Sequence, residues 1–336
     1  MSSTTRALRR CAAGVMGAVV GLGACQAPDL AHPGDSADRT ATPVPLGSTS
    51  DTPTATPATT AAATPSRIPA RLPELPRGGR TLFPHYRLVG YAGAPGSAAL
   101  GRLGVGDLDD RVRELEKRAA AFASGRKPQP VLELLTTIVQ GSAGRDGKWR
   151  SRLSDKVIRE HLDAARRHKA ILLLGIQPGR ATFLDEVKAY EKWLQHPDVG
   201  LALDPEWAMK PGQVPMGVFG HTTGREVNEV TAWAGSLVAR HQLPEKVVVV
   251  HELAPNIIRD EEVIRSRTGV ALIKSVDGIG SRAMKEDTWR KLTTTLPKGM
   301  RVGFKLFLEE DGKFGPLMTP AEVLALKPTV DYVLFE

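Results

Sequence analysis

The sequence predicts a TIM-like (β/α)₈ barrel over residues 82–336 of a 336-residue chain. Three observations lead there. Short aliphatic runs alternate with amphipathic helical segments, the rhythm of a parallel sheet wound with helices. The runs do not switch cleanly between apolar and polar residues, as expected of strands covered on both faces. Connections from strand to helix are long (93–107, 140–154, 205–223), whereas those from helix back to strand are short, as in His196-Pro197-Asp198 and Leu243-Pro244-Glu245. In a barrel the long connections gather at the C-terminal rim, where sites form. An open doubly wound sheet is the rival, and the loop lengths favour the barrel.

Residues 1–24 read as an export signal. Arg6, Arg9 and Arg10 form a basic start, and Cys11 to Ala24 is a charge-free apolar run. That run is too short to span a membrane. It ends in Leu22-Gly23-Ala24-Cys25, which resembles a bacterial lipobox. The resemblance implies that Cys25 becomes the lipidated N-terminal residue, with a palmitate-type anchor holding the protein on the extracellular face of the cell membrane. Residues 25–80 are dominated by Thr, Pro and Ala, as in "STSDTPTATPATTAAATPS" from Ser48. Too few large apolar side chains are present to offset ordering entropy, so a disordered tether is expected, with a reach on the order of 100 Å.

The strand candidates follow in order: 87–92, 131–139, 170–177, 199–204, 246–251, 270–276, 302–308 and 331–335. Helical patterns lie between them at 108–123, 155–168, 182–195, 224–241, 259–267, 284–295 and 320–326. Thr223-x-x-Glu226 and Thr319-Pro320-Ala321-Glu322 have the form of capping boxes, the second with proline at the first helical position. The pattern stops on the eighth strand, so the last helix of the barrel is missing, and residues 66–85 are available to cover that gap.

Charge and cysteine content narrow the function classes. The chain holds 45 Lys and Arg against 37 Asp and Glu, a net +8. Removing the three signal arginines leaves 42 against 37, or +5. That excess suits an anionic cell surface and is no nucleic-acid footprint. Of the two cysteines, Cys11 goes with the signal and Cys25 carries lipid, so neither is a nucleophile or a structural zinc ligand. No cofactor is indicated. Gly101–Gly106 and Gly278–Gly280 lack the P-loop lysine and the full dinucleotide pattern, and no G-x-S-x-G occurs. A monomer is expected.

Strand parity selects the site. Along the fourth strand Val199, Leu201 and Leu203 share one face, while Gly200, Ala202, Asp204 and Glu206 share the other, small below and acidic above. The same reading puts Glu133 with Thr137, Ser275 with Asp277, Lys305 with Gly303, and Gln177 on the face of Gly175. On the fifth strand parity leaves His251 and Glu252 as alternatives. Glu206 is the candidate general acid/base, with Asp204 or Asp277 as nucleophile, charge stabiliser or water-positioning group. The substrate-binding candidates are Glu133, Gln177, His251, Glu252 and Lys305, with Trp207, Trp149 and Tyr91 as sugar platforms. Two carboxyl groups whose environments differ can divide acid and base roles, as glycosidic hydrolysis requires. Asp204, Glu206, His251 and Asp277 could instead hold a hard cation for phosphodiester or deacetylation chemistry, although no compact ligand motif is present. A barrel that binds glycan without cleaving it, or serves a structural role, is the third alternative.

The ordered motifs "GYAGAPGSAALG" from Gly90, "GIQPGR" from Gly175, "LALDPEW" from Leu201 and "VGFKLF" from Val302 resemble a family of secreted actinobacterial lipoproteins with a glycosidase-like barrel. The resemblance covers residues 86–336 and implies a lipid-anchored barrel that meets polysaccharide or cell-wall glycan. That family carries no catalytic assignment to transfer. The Asn-Glu pair of many glycosidase barrels is replaced here by Asp204-Pro205-Glu206.

Overall fold

The structure, a computed structural model, describes residues 72–336. The expected export signal, the expected lipid attachment at Cys25 and the part of the expected tether up to residue 71 lie outside the described residues. Eight parallel strands close into a barrel. In chain order they are β1 (Tyr86–Gly93), β2 (Lys127–Val139), β3 (Ile171–Ile176), β4 (Val199–Leu203), β5 (Lys246–Glu252), β6 (Val270–Val276), β7 (Arg301–Leu306) and β8 (Tyr332–Phe335). Each pairs with the next, and β1 pairs with both β2 and β8, which closes the ring. Closure leaves the eight barrel strands without an open edge, and a short strand, Arg150–Arg152, adds antiparallel to the end of β2. The outer helices are α1 (Leu108–Ala120), α2 (Asp155–Arg167), α3 (Phe183–Ala189), α4 (Glu191–Leu194), α5 (Gly224–Arg240), α6 (Arg282–Thr293) and α7 (Pro320–Ala325). Both capping boxes form, at Thr223 with Glu226 and at Thr319 with Glu322.

Two helical expectations change. The 182–195 pattern breaks at Tyr190, whose hydroxyl turns inward to donate to the Thr136 carbonyl at 2.9 Å. Residues 259–267 form no α-helix. Ile258–Arg259 instead pairs with Thr222–Thr223, and Asp260 adopts a left-handed conformation (φ 51°) before a single 3₁₀ turn at Glu261–Val263. Side-chain packing fixes this outcome, because Asn228 on α5 accepts from the Arg265 amide and donates to the Val263 carbonyl.

The barrel interior is filled by Leu88, Val131, Leu173, Ala202, Val249, Ile273, Tyr332 and Leu334. Glycine is required where a large ring crosses the axis: a Cβ on Gly90 would sit 2.7 Å from the Tyr332 hydroxyl. Residues 72–85 close the floor, since Leu75 and Leu82 belong to this interior cluster. Arg80 donates to the Gln242 and Leu243 carbonyls, and Glu245 accepts from the Leu82 amide. Leu75 is an isolated large apolar side chain among prolines, so composition places it in the tether although it packs into the floor. Residues 72–85 lie at the floor, and the Phe335 ring of β8 is covered from the α1 side. Phe122, just beyond α1, packs edge-on to Phe335 at 5.9 Å, and the Arg118 guanidinium lies 4.6 Å from the same ring. Leu82 is fully buried. Leu82→Ala should therefore cost about 2–5 kcal/mol, read as a lowered midpoint in urea unfolding.

Candidate active site

The C-terminal mouth of the barrel opens into a cavity of about 610 Å³. Its floor is polar, with Glu133, Gln177, Asp204, Glu206, Asp277, Lys305 and Glu336. Its walls are mostly apolar, with Leu135, Ile138, Trp207, Phe219 and Phe307 among them. Seven of the residues that parity sends to the mouth meet there: Glu133, Gln177, Asp204, Glu206, His251, Asp277 and Lys305. Asp204 follows the last residue of β4, and Pro205 starts a 3₁₀ turn, Pro205–Trp207, that carries Glu206 over the mouth.

His251 is the hub of the floor. Its Nδ1 lies 2.8 Å from Asp277 Oδ2, and its Nε2 lies 3.0 Å from Glu133 Oε1 and 3.8 Å from Asp204 Oδ1. The Nε2–Glu133 approach is ionic in distance but is not aligned as a hydrogen bond. Tyr332 donates to the other Glu133 oxygen at 2.9 Å, and Ser275 donates to Asp277 Oδ1 at 2.7 Å. Lys305 Nζ lies 3.1 Å from Asp277 and 2.5 Å from Glu336. Gln177 accepts from the Val139 amide and donates to Asp204 Oδ2 at 3.2 Å, which fixes that carboxyl from one side.

Five carboxyl groups, of Glu133, Asp204, Glu206, Asp277 and Glu336, thus face two cations, His251 and Lys305. They cannot all be ionised in a buried space, so protonation sorts by contact. Asp277 touches both cations; although burial works against its charge, His251 and Lys305 bring it down to about 2. Burial likewise opposes the His251 imidazolium, yet Asp277 and Glu133 push its pKa well up. Asp204 is raised by burial, while His251 and Lys305 restrain the rise. Glu206 is raised well above an ordinary carboxyl by burial first, then by the charges of Asp204 and Asp277. Its Oε2 atom is buried with no hydrogen-bond partner. The two carboxyls of Asp204-Pro205-Glu206 are therefore pushed apart, Glu206 holding its proton longest.

Comparison with protein-family models, curated proteins and solved structures finds no match to this chain. The site must be read from its own geometry.

That geometry corrects four sequence assignments. Glu252 faces outward, 2.9 Å from Lys274, and accepts from the Ile258 amide, so the inward residue of β5 is His251. Tyr91 also faces outward: it is packed edge-on to Phe335 and its hydroxyl donates to Glu114, because Gly90 and Ala92 hold the inner positions of β1. Trp149 does not line the cavity; its indole lies beneath the Arg180 guanidinium at 4.8 Å. Thr137 turns outward to Tyr190 and Glu186 because β2 shifts register between Leu135 and Thr137, and a bulge inverts parity beyond it. Trp207 does line the cavity, edge-on to Phe219 at 6.2 Å.

Several participants escaped the sequence reading. Tyr332 and Glu336 lie on the inner face of the eighth strand and its extension, in step with Leu334, so the i, i+2 rule carried through to residue 336 would have found them. The buried pair Lys285–Asp311, 2.8 Å apart, carries no such signal. Lys285 donates to the Lys305 carbonyl, and Asp311 accepts from the Gly280 and Phe307 amides, so the pair fixes the loops behind Lys305. Among the described residues no group of three or more His, Cys, Asp or Glu side chains is arranged to hold a metal ion.

The Asp277 pKa sets a measurable acid limb. Its folded value is depressed from 3.8 to about 2, so the stability it contributes is present above pH 4 and is lost as the pH falls through about 2. The stability difference between wild type and Asp277→Asn should therefore shrink by about 2 kcal/mol between pH 4 and pH 2, followed by urea unfolding across that range.

Proposed function

We propose that this barrel hydrolyses glycosidic bonds, with Glu206 as general acid and Asp204 as its ionisable partner. One observation carries the reading: the Glu206 carboxyl stands at the mouth of a cavity with a buried, unpartnered oxygen and a strongly raised pKa. Such a group enters the reaction protonated, and the proton would pass to the glycosidic oxygen as the C–O bond breaks. Asp204, less raised and held by Gln177, is the carboxylate available to stabilise the oxocarbenium-like centre, attack it, or activate water. Asp277 is unsuited to attack because both of its oxygens already accept hydrogen bonds from His251, Lys305 and Ser275. Its role is to keep His251 charged, and Lys305 with it. Trp207, Phe219 and Phe307 supply apolar faces for sugar rings.

The lipobox-like Cys25 and the Thr/Pro-rich stretch support a placement on the outer face of the cell membrane, where the substrate would be surface or environmental polysaccharide. The test is release of reducing ends from a glycan panel by the full-length protein, with and without EDTA. Cleavage that persists in EDTA supports the carboxylate mechanism. Cleavage abolished by EDTA would move the same residues into a metal-dependent hydrolase, and binding without cleavage would make the barrel a glycan-binding module.

A further inference from the structure

We infer that the glycan taken by this site carries free amino groups, as in polymers of de-N-acetylated hexosamine. The inference rests on the glycosidase reading and adds the substrate's charge to it. The chain as a whole is basic, yet its cavity is lined by Glu133, Asp204, Glu206, Asp277, Asp287, Glu310 and Glu336 against only Lys291 and Lys305, with no arginine. Both lysines are consumed. Lys305 is held by Asp277 and Glu336, and Lys291 lies 2.5 Å from Asp287. His251 is held by Glu133 and Asp277.

Once every cation has its partner, acidic groups remain. Glu206 holds its proton and adds no charge, but Asp204 has the neutral Gln177 amide and no cation closer than an imidazole at 3.8 Å, and Glu310 at the rim enters no ion pair among the described residues. A substrate bearing carboxylate or phosphate would meet no free cation here and would add to the repulsion. A neutral sugar could donate its hydroxyls to these carboxylates but would leave their charge uncompensated. A protonated amine does both, and ammonium–carboxylate hydrogen bonds are among the stronger ones available in a partly desolvated cleft. Glu310 is placed to accept that amine without serving in the proton transfer.

The test is calorimetric binding to the full-length Glu206→Gln protein, which retains a neutral group at that position and turns over only slowly. The probes are oligomers of glucosamine and of galactosamine, each beside its N-acetylated form, with oligogalacturonate as the anionic control. Free-amine oligomers should bind about tenfold tighter than their acetylated forms, a preference that weakens with salt. Glu310→Gln should reduce that preference while leaving affinity for the acetylated oligomers unchanged. Equal or tighter binding of acetylated oligomers, no binding of either free-amine oligomer, or a preference for oligogalacturonate would overturn the inference. Failure of the two proposals is separable: if free-amine oligomers bind preferentially but wild type cleaves none of them, the hydrolase reading falls and the charge preference stands. If wild type cleaves neutral glycans and ignores the amine, the reverse holds.

Discussion

Glu206→Gln should cut turnover steeply while leaving the protein folded and at least as stable as wild type. Glutamine keeps the shape of the side chain and removes the transferable proton, so the expected loss in kcat is about 10²–10⁴-fold, the usual contribution of a positioned general acid. Stability should not fall, because the native carboxyl is held against desolvation and against Asp204 and Asp277, with one oxygen unpartnered. An uncharged amide escapes the repulsion that ionisation would bring. The sign of the pH dependence follows from the raised pKa. Activity that needs protonated Glu206 is present below that pKa and is lost as the pH rises through it. Weakening the repulsion by Asp204→Asn should lower the Glu206 pKa itself, read as loss of its protonated-carboxyl infrared band at lower pH, because the same change removes the catalytic partner and with it the rate.

His251→Leu should be the most damaging single change to stability. The imidazole is fully buried between Asp277 at 2.8 Å and Glu133 at 3.0 Å. Removing one partner of a buried ionic group leaves the others charged and uncompensated, at a cost of about 3–5 kcal/mol. Here two carboxylates would lose their shared cation, although Lys305 still touches Asp277 and Tyr332 still donates to Glu133. The pH dependence separates this loss from a simple packing defect. The folded-state pKa of His251 is raised above 6.5, so its contribution is complete below pH 6.5 and disappears as the pH rises through the elevated value. The difference between wild type and variant should thus be full near pH 6 and shrink in alkaline buffer. A lost methylene contact would cost the same at both.

The barrel could be read from the chain because its evidence is local and repeated. Eight aliphatic runs, the long connections at one end and two capping boxes do not depend on tertiary contacts. The site was legible wherever the strand stayed regular. Gly200, Ala202, Asp204 and Glu206 alternate without interruption, and Ser275 with Asp277 behaves likewise. Legibility failed where one residue breaks the alternation or where both faces look alike. The bulge after Leu135 turned Thr137 away, and the run Val247–Val250 offers no contrast to choose between His251 and Glu252. For Tyr91 and Trp149, an aromatic side chain near a strand end says nothing about direction. The Lys285–Asp311 pair joins residues on separate loop and helix segments, so only the folded chain brings it together.

General-acid catalysis at this site requires Glu206 to be protonated when the site is ready to react. Infrared difference spectroscopy of wild type against Glu206→Gln at pH 7 reads that state directly, since the subtraction removes every other carboxyl in the protein. The expected spectrum carries a protonated-carboxyl C=O band belonging to Glu206, shifted by its partly buried position and unpartnered oxygen, that fades only as the pH is raised further. A carboxylate band in its place at pH 7 would contradict the account, because an ionised Glu206 has no proton to give to a leaving sugar.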